Sequence, residues 1–183
     1  MAYHLVPCDR VQGYLMPPSV REWLPEGDLA WFILEVVEQM DLKEFYSAYR
    51  EDGWGAAAYD PAMRVGMLLY AYCQRVRSSR RIAAALERDV GFRVVAANGQ
   101  PDFRTICRFR VDHDEALERL FAQVLRLCRE AGLVKEGLGF RRFMRRGVRA
   151  ASSEAGIIGT AHNLLKLWRS GQAPWGLAKA RCN

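Results

Sequence analysis

Asp60-Pro61-Ala62-Met63-Arg64-Val65-Gly66-Met67-Leu68-Leu69-Tyr70-Ala71-Tyr72-Cys73 is the stretch on which the fold turns. Aspartate before proline marks a helix start. The carboxylate accepts amide hydrogens that have no partner within the helix, and the fixed φ of proline suits the first helical position. Beyond it Met63, Met67, Leu68 and Ala71 continue an almost unbroken apolar surface, which predicts a helix to about Val76. A helix apolar on nearly all sides has to be surrounded, so it is predicted to be the central buried helix of a bundle.

Helical periodicity spreads outward from there. Asp28 is a predicted N-cap for a helix whose Leu29, Phe32, Ile33, Val36, Val37 and Met40 share one face. A short helix is predicted around Leu42 to Tyr49, then a loop from Glu51 to Ala58 containing Gly53 and Gly55. Downstream, Ser78 and Ser79 read as caps before Arg80-Arg81-Ile82-Ala83-Ala84-Ala85, whose alanines allow close backbone approach. Asp89 to Gln100, with Asn98-Gly99, reads as a turn region. Pro101-Asp102 starts a further helix in which Phe103, Ile106 and Phe109 or Arg110 recur at spacing three, so the phenylalanines and the isoleucine are expected to face the core. Arg104, Thr105 and Arg108 then share the outward side. From Asp114 a long amphipathic helix carries Leu117, Leu120, Phe121, Val124, Leu125 and Cys128 until Gly132 stops it. The expectation is an all-α fold, a helical bundle from residue 15 to 134.

Composition narrows the class. The chain has 183 residues, 50% hydrophobic and 26% charged, which suits one globular domain with a small appendage. Its longest run free of charged or strongly polar side chains, Val65 to Cys73, falls far short of the roughly 18 residues needed to cross a bilayer. No basic segment followed by an apolar stretch opens the chain, so a soluble, cytoplasmic protein is expected. The 5 cysteines are scattered without a Cys-x-x-Cys pair, which argues against a disulfide framework and against zinc. His4 with Cys8, His113 and His162 are too isolated to predict a metal site.

Charge is distributed unevenly. Residues 1–60 carry a net −7, residues 61–138 a net +5 and residues 139–183 a net +8, within an overall +6. Basic middle and tail segments point to a polyanion, most simply nucleic acid. Short helices after a buried one, the last with an arginine face, follow the logic of a helix-turn-helix element seated in a major groove. A helical bundle with a solvated basic face explains the same residues, and on periodicity and charge the two readings weigh evenly.

A family resemblance shifts that balance. Tyr14-Leu15-Met16-Pro17-Pro18-Ser19, followed by Trp23-Leu24-Pro25-Glu26, resembles the opening of bacterial insertion-sequence transposases of the DDE, ribonuclease-H-like class. Tyr59-Asp60-Pro61, Val76-Arg77-Ser78-Ser79-Arg80 and Pro101-Asp102-Phe103-Arg104-Thr105-Ile106-Cys107-Arg108-Phe109-Arg110 continue the resemblance in the family's order, across nearly all of residues 13–136. It implies that residues 13–136 form a helical DNA-binding domain for transposon ends, with Arg77, Arg80, Arg81, Arg104, Arg108 and Arg110 as phosphate and base contacts. A second match lies at the other end. Gly139-Phe140-Arg141-Arg142-Phe143-Met144-Arg145-Arg146-Gly147 and Thr160-Ala161-His162-Asn163-Leu164-Leu165-Lys166-Leu167 resemble the extreme C-terminus of the same transposases.

In the family the catalytic core lies between those two elements. Here Leu133-Val134-Lys135-Glu136-Gly137-Leu138 runs almost directly into Gly139. The family's Asp-Gly-Thr element does not follow Lys135, and Glu154 is the only acid after Gly139. By the resemblance the Asp/Asp/Glu set that would hold two Mg²⁺ ions for phosphoryl transfer is missing, so no catalytic residue, metal site or cofactor is assigned. The chain resembles an internally deleted transposase: residues 139–170 a remnant of the catalytic domain's C-terminal end, residues 171–183 a tail.

The reading is a non-catalytic, truncated transposase-like protein that binds transposon-end double-stranded DNA in the nucleoid. It is expected to pair with another copy or with full-length transposase, and no membrane partner is expected. An inert pseudogene product is the alternative, and a residual enzyme using Glu136 or Glu154 ranks last. Ile157, Ala161, Leu164, Leu165 and Trp168 predict an amphipathic helix from about Ser153 to Arg169. Without the catalytic core it is an orphan that must dock on the bundle, pair with another copy or fray. The basic linker Arg141 to Arg146 is expected to stay solvated, and the tail to be the first part lost to trypsin.

Overall fold

The computed structural model describes residues 22–47, 49, 58–130 and 148–170. Among them the regular structure is entirely helical: α1 (Leu29–Glu38), α2 (Lys43–Tyr46), α3 (Pro61–Cys73), α4 (Ser79–Arg88), α5 (Val90–Val95), α6 (Phe103–Asp112), α7 (Asp114–Glu130) and α8 (Val148–Ser170). The expected loop at 51–58 lies almost wholly outside the described residues, as do Gly132 and the basic linker 141–146.

α3 is the hub. Asp60 accepts from the Ala62 and Met63 amides, Pro61 occupies the first turn, and every residue of the helix except Ala62 and Met63 is buried. It packs against α1, α5 and α8. α1 presents the face expected of it: Asp28 accepts from the Ala30 amide at 2.8 Å, and Leu29, Phe32, Ile33, Val36, Val37 and Met40 are all buried. α3 ends at Cys73, earlier than its periodicity predicts. Arg75 takes a left-handed φ of 60°, its amide bonds Tyr72 O at 3.0 Å, and the Val76 amide bonds Ala71 O at 2.7 Å. These paired bonds satisfy the final carbonyls of the helix, a termination that glycine usually provides.

The expected turn region at 89–100 contains a helix instead. Asp89 accepts from the Phe92 amide at 3.1 Å and opens α5, which buries Phe92, Val94 and Val95 against α1 and α3. Gly91 makes this approach possible, since a Cβ there would sit 2.8 Å from Tyr70 Cζ. Phe92 in turn meets the Tyr70 ring edge-on at 5.0 Å. Burial of that ring pushes the Tyr70 hydroxyl up to about 12, so it stays protonated as a donor or acceptor within the core. Ala97 and Asn98, both left-handed, end the helix.

Of the three outcomes open to the C-terminal helix, docking on the bundle is the one observed. α8 starts earlier than predicted, at Val148, and packs on α7, α3 and α1. Ile157, Ile158, Ala161, Leu164 and Leu167 are buried in the same core as α1 and α3. Leu165 is only partly buried, and Trp168 lies at the edge with its indole N–H donating to Gly27 O at 3.1 Å. The buried stripe is therefore rotated from the one read off the sequence. Docking on the bundle supplies the apolar partner the helix needs, because tertiary packing provides most helical stability. Leu164→Ala, at a fully buried site, should lower the unfolding free energy by about 2–5 kcal/mol in urea titration. A loss below about 0.5 kcal/mol would show that α8 is not part of the cooperative core.

Candidate nucleic-acid interface

α4 and α6 pack against each other, and Ile82 and Leu86 of α4 and Ile106 and Phe109 of α6 are all buried. With the apolar sides facing inward, the polar side of each helix is exposed. Arg80 and Arg81 emerge from the first turn of α4, and Arg104 and Arg108 from α6 at i,i+4. The Arg108 guanidinium lies 3.4 Å from Asp112, but both side chains are more than half exposed. An ion pair of that kind contributes under about 1 kcal/mol, too little to hold Arg108 away from a stronger anion.

Phe103 joins the two helices at this surface. Expected in the core, it is instead 37% exposed, with the Arg80 Cζ 5.3 Å and the Arg104 Cζ 5.8 Å from its ring centroid. Cation–π contacts at exposed sites contribute about 0.5–1 kcal/mol each, enough to bias where the two guanidiniums dwell. The structure thus brings Arg80 and Arg104 to one aromatic side chain from separate helices. The result is a cationic surface with an apolar centre.

The N-terminus of α6 is already occupied. Asp102 accepts from the Thr105 amide at 2.7 Å, and that bond first, then the Thr105 hydroxyl, holds its carboxyl below the usual range. The Thr105 amide of this helix end is therefore already satisfied by Asp102.

Two of the expected contacts sit elsewhere. Arg110, expected at the DNA, is buried, with 5% of its surface exposed. It donates to Tyr72 OH, to Arg77 O at 2.9 Å and to Ser79 Oγ at 3.2 Å, and stacks over the Tyr72 ring. Ser79 is thereby an acceptor for arginine, and Ser78 stands at the N-cap of α4 without a side-chain capping bond. Arg77 is half-buried, its carbonyl taken by Arg110. Of the six arginines, then, Arg80, Arg81, Arg104 and Arg108 are exposed on the α4 and α6 helices.

Arg64 was absent from the expected site residues, yet it is buried in α3. It donates to Tyr49 OH and to Tyr59 O at 2.6 Å, and its Cζ lies 4.4 Å from the Phe109 centroid of α6. His113, at the end of α6, joins the same cluster with its ring tilted against Phe45 and Phe109. Burial, then the neighbouring Arg64 charge, holds the His113 pKa below the ordinary histidine value, so its ring is neutral at neutral pH.

No group of three or more His, Cys, Asp or Glu side chains able to hold a metal occurs among the described residues. No helix among them is long and apolar enough to cross a membrane.

A bundle in which two helices display arginines beside an exposed aromatic belongs to the broad class of α-helical modules with a basic face. Residues 18–112, just over half the chain, match the model of the family described as Transposase domain (DUF772), and the chain belongs to that family. The match ends with α6, so it spans α1 to α6 and stops short of α7 and α8. No curated protein and no solved structure matches the chain.

Replacing Arg110 by methionine should lower stability by about 2–3 kcal/mol, since Arg77 O and Ser79 Oγ lose a charged donor. Arg104→Ala should stay within about 0.5 kcal/mol of wild type. Guanidinium titrations of the two variants check the contrast, and equal stabilities would refute the division between internal and surface arginines.

Proposed function

We propose that this member of the transposase domain family binds transposon-end duplex DNA through α4 and α6 and carries out no DNA cleavage itself. The observation that carries the reading is the meeting of Arg80 and Arg104 at the exposed Phe103, beside Arg108 on the same helix. Arginine is suited to both tasks at a duplex: bidentate hydrogen bonding to guanine in the major groove, and charge-assisted bonding to phosphate. α4, α5 and α6 act as a helix-turn-helix-like element in which α6 enters the groove. Phe103 offers an apolar contact of the kind that reads a thymine methyl group.

The non-catalytic half of the proposal rests on the sequence. Two-metal phosphoryl transfer needs carboxylates gathered around the ions. The acidic elements that the transposase resemblance calls for between Lys135 and Gly139 are missing, and Glu154 is the only acid beyond them. A protein that occupies transposon ends without cutting them competes with intact transposase.

Fluorescence anisotropy with the terminal-repeat duplex of a related full-length element, against a scrambled duplex, tests the binding. Wild type should prefer the terminal repeat. The Arg104→Ala, Arg108→Ala double variant should lose about 1–3 kcal/mol for each base-reading arginine and discriminate less. Wild-type binding by that variant at every salt concentration would overturn the assignment, and no preference for end DNA would favour an inert product. Incubation of the duplex with Mg²⁺ or Mn²⁺ should yield no cleavage above a protein-free control.

A further inference from the structure

Between the end of α3 and the helix α8 lies a half-open cleft of about 540 Å³. Arg75 and Arg77 line it from the α3–α4 connection, and His162, Lys166 and Arg169 from one side of α8. Asp28 is the only carboxylate in the lining, and its Oδ1 is engaged with the Ala30 amide. Four cationic side chains and one carboxylate in the lining favour an anion in the cleft.

Two details strengthen the case. His162 Nε2 is buried with no hydrogen-bond partner among the described residues. Burial, then Lys166 and Arg169, hold the His162 pKa below the ordinary value. Arg75 stands in a left-handed turn, a backbone conformation that penalises any side chain with a Cβ. The cleft also borders the α4–α6 element, because the Arg77 carbonyl accepts from Arg110 of α6.

We infer that this cleft holds backbone phosphates of the bound duplex, and that α8 supplies half of the cationic grip through Lys166 and Arg169. The inference rests on DNA binding by the α4–α6 face and adds a second, sequence-independent contact to it. Contacts of this kind position a protein on a duplex without reading bases. Arg75, Arg77, Lys166 and Arg169 each neutralise phosphate charge and release counterions. The residues from α8 lie outside the segment that matches the family, so half of this grip comes from beyond that segment.

The experiment uses the full chain, a terminal-repeat duplex and a scrambled duplex, with affinity measured across a salt series. Lys166→Gln, Arg169→Gln should weaken binding to both duplexes equally and make the log K against log salt slope shallower by about two. Arg75→Gly relieves the left-handed strain, so it should make the slope shallower by about one at an undiminished melting temperature. Unchanged affinity and slope in both variants would overturn the inference. So would binding of AMP in the cleft as tight as that of the duplex, which would make it a site for small phosphate esters. Loss of binding in the α8 variant alone, with Arg104→Ala, Arg108→Ala unaffected, supports the cleft and refutes the α4–α6 reading. The reverse pattern refutes the cleft and leaves that reading standing.

Discussion

Two buried guanidiniums hold the orientation of α6 on the bundle. Arg64 reaches from α3 over the Phe109 ring of α6, and Arg110 reaches back from α6 over the Tyr72 ring of α3. Among the described residues neither meets a carboxylate; tyrosine hydroxyls, backbone carbonyls, Ser79 Oγ and aromatic faces take the charge instead. A buried cation so dispersed is costly to dislodge, because each lost acceptor leaves part of the charge desolvated. The reciprocal contact leaves α6 little freedom to rotate about its own axis. With Ile106, Phe109 and Arg110 committed inward, Arg104 and Arg108 are left facing outward.

The same latch ties the two sides of the molecule together. Arg110 bonds the Arg77 carbonyl and Ser79 Oγ, so it also fixes the entrance of α4 and the approach of Arg80 to Phe103. α3 is also covered by α8, whose Ala161 carbonyl accepts a bond from the Cys73 thiol at 3.5 Å. Burial pushes that thiol up to about 12, which keeps it a neutral donor rather than a reactive thiolate. α3 is thus covered on one flank by the family's own elements and on another by a helix beyond the family match.

Much of this was legible in the residues. The caps Asp28, Asp60 and Asp102 and the buried faces of α1 and α3 follow from spacing and side-chain chemistry alone. The exposed arginine pair of α6 followed as well. α5 was hidden because a six-residue helix is too short to show a period, and Asn98-Gly99 gave a louder turn signal beside it. Phe103 is apolar yet exposed, because the first turn of a helix reaches the edge of a bundle before its core. Arg110 carried a signal that charge concealed: it lies four residues after Ile106, and residues four apart share a face. The docking of α8 could not be read locally. Its partners lie on α3 and α7, and a stripe of apolar residues says that a partner is needed without saying where it is.

Amide chemical-shift mapping of the protein with a terminal-repeat duplex tests the central claim most directly, because it locates the DNA without altering a residue. The account predicts that the largest changes cluster at residues 79–81 and 103–108, with the buried amides around Val65 and Leu69 unmoved. Changes centred instead on the acidic α1–α2 region, or none at all under low salt, would contradict it.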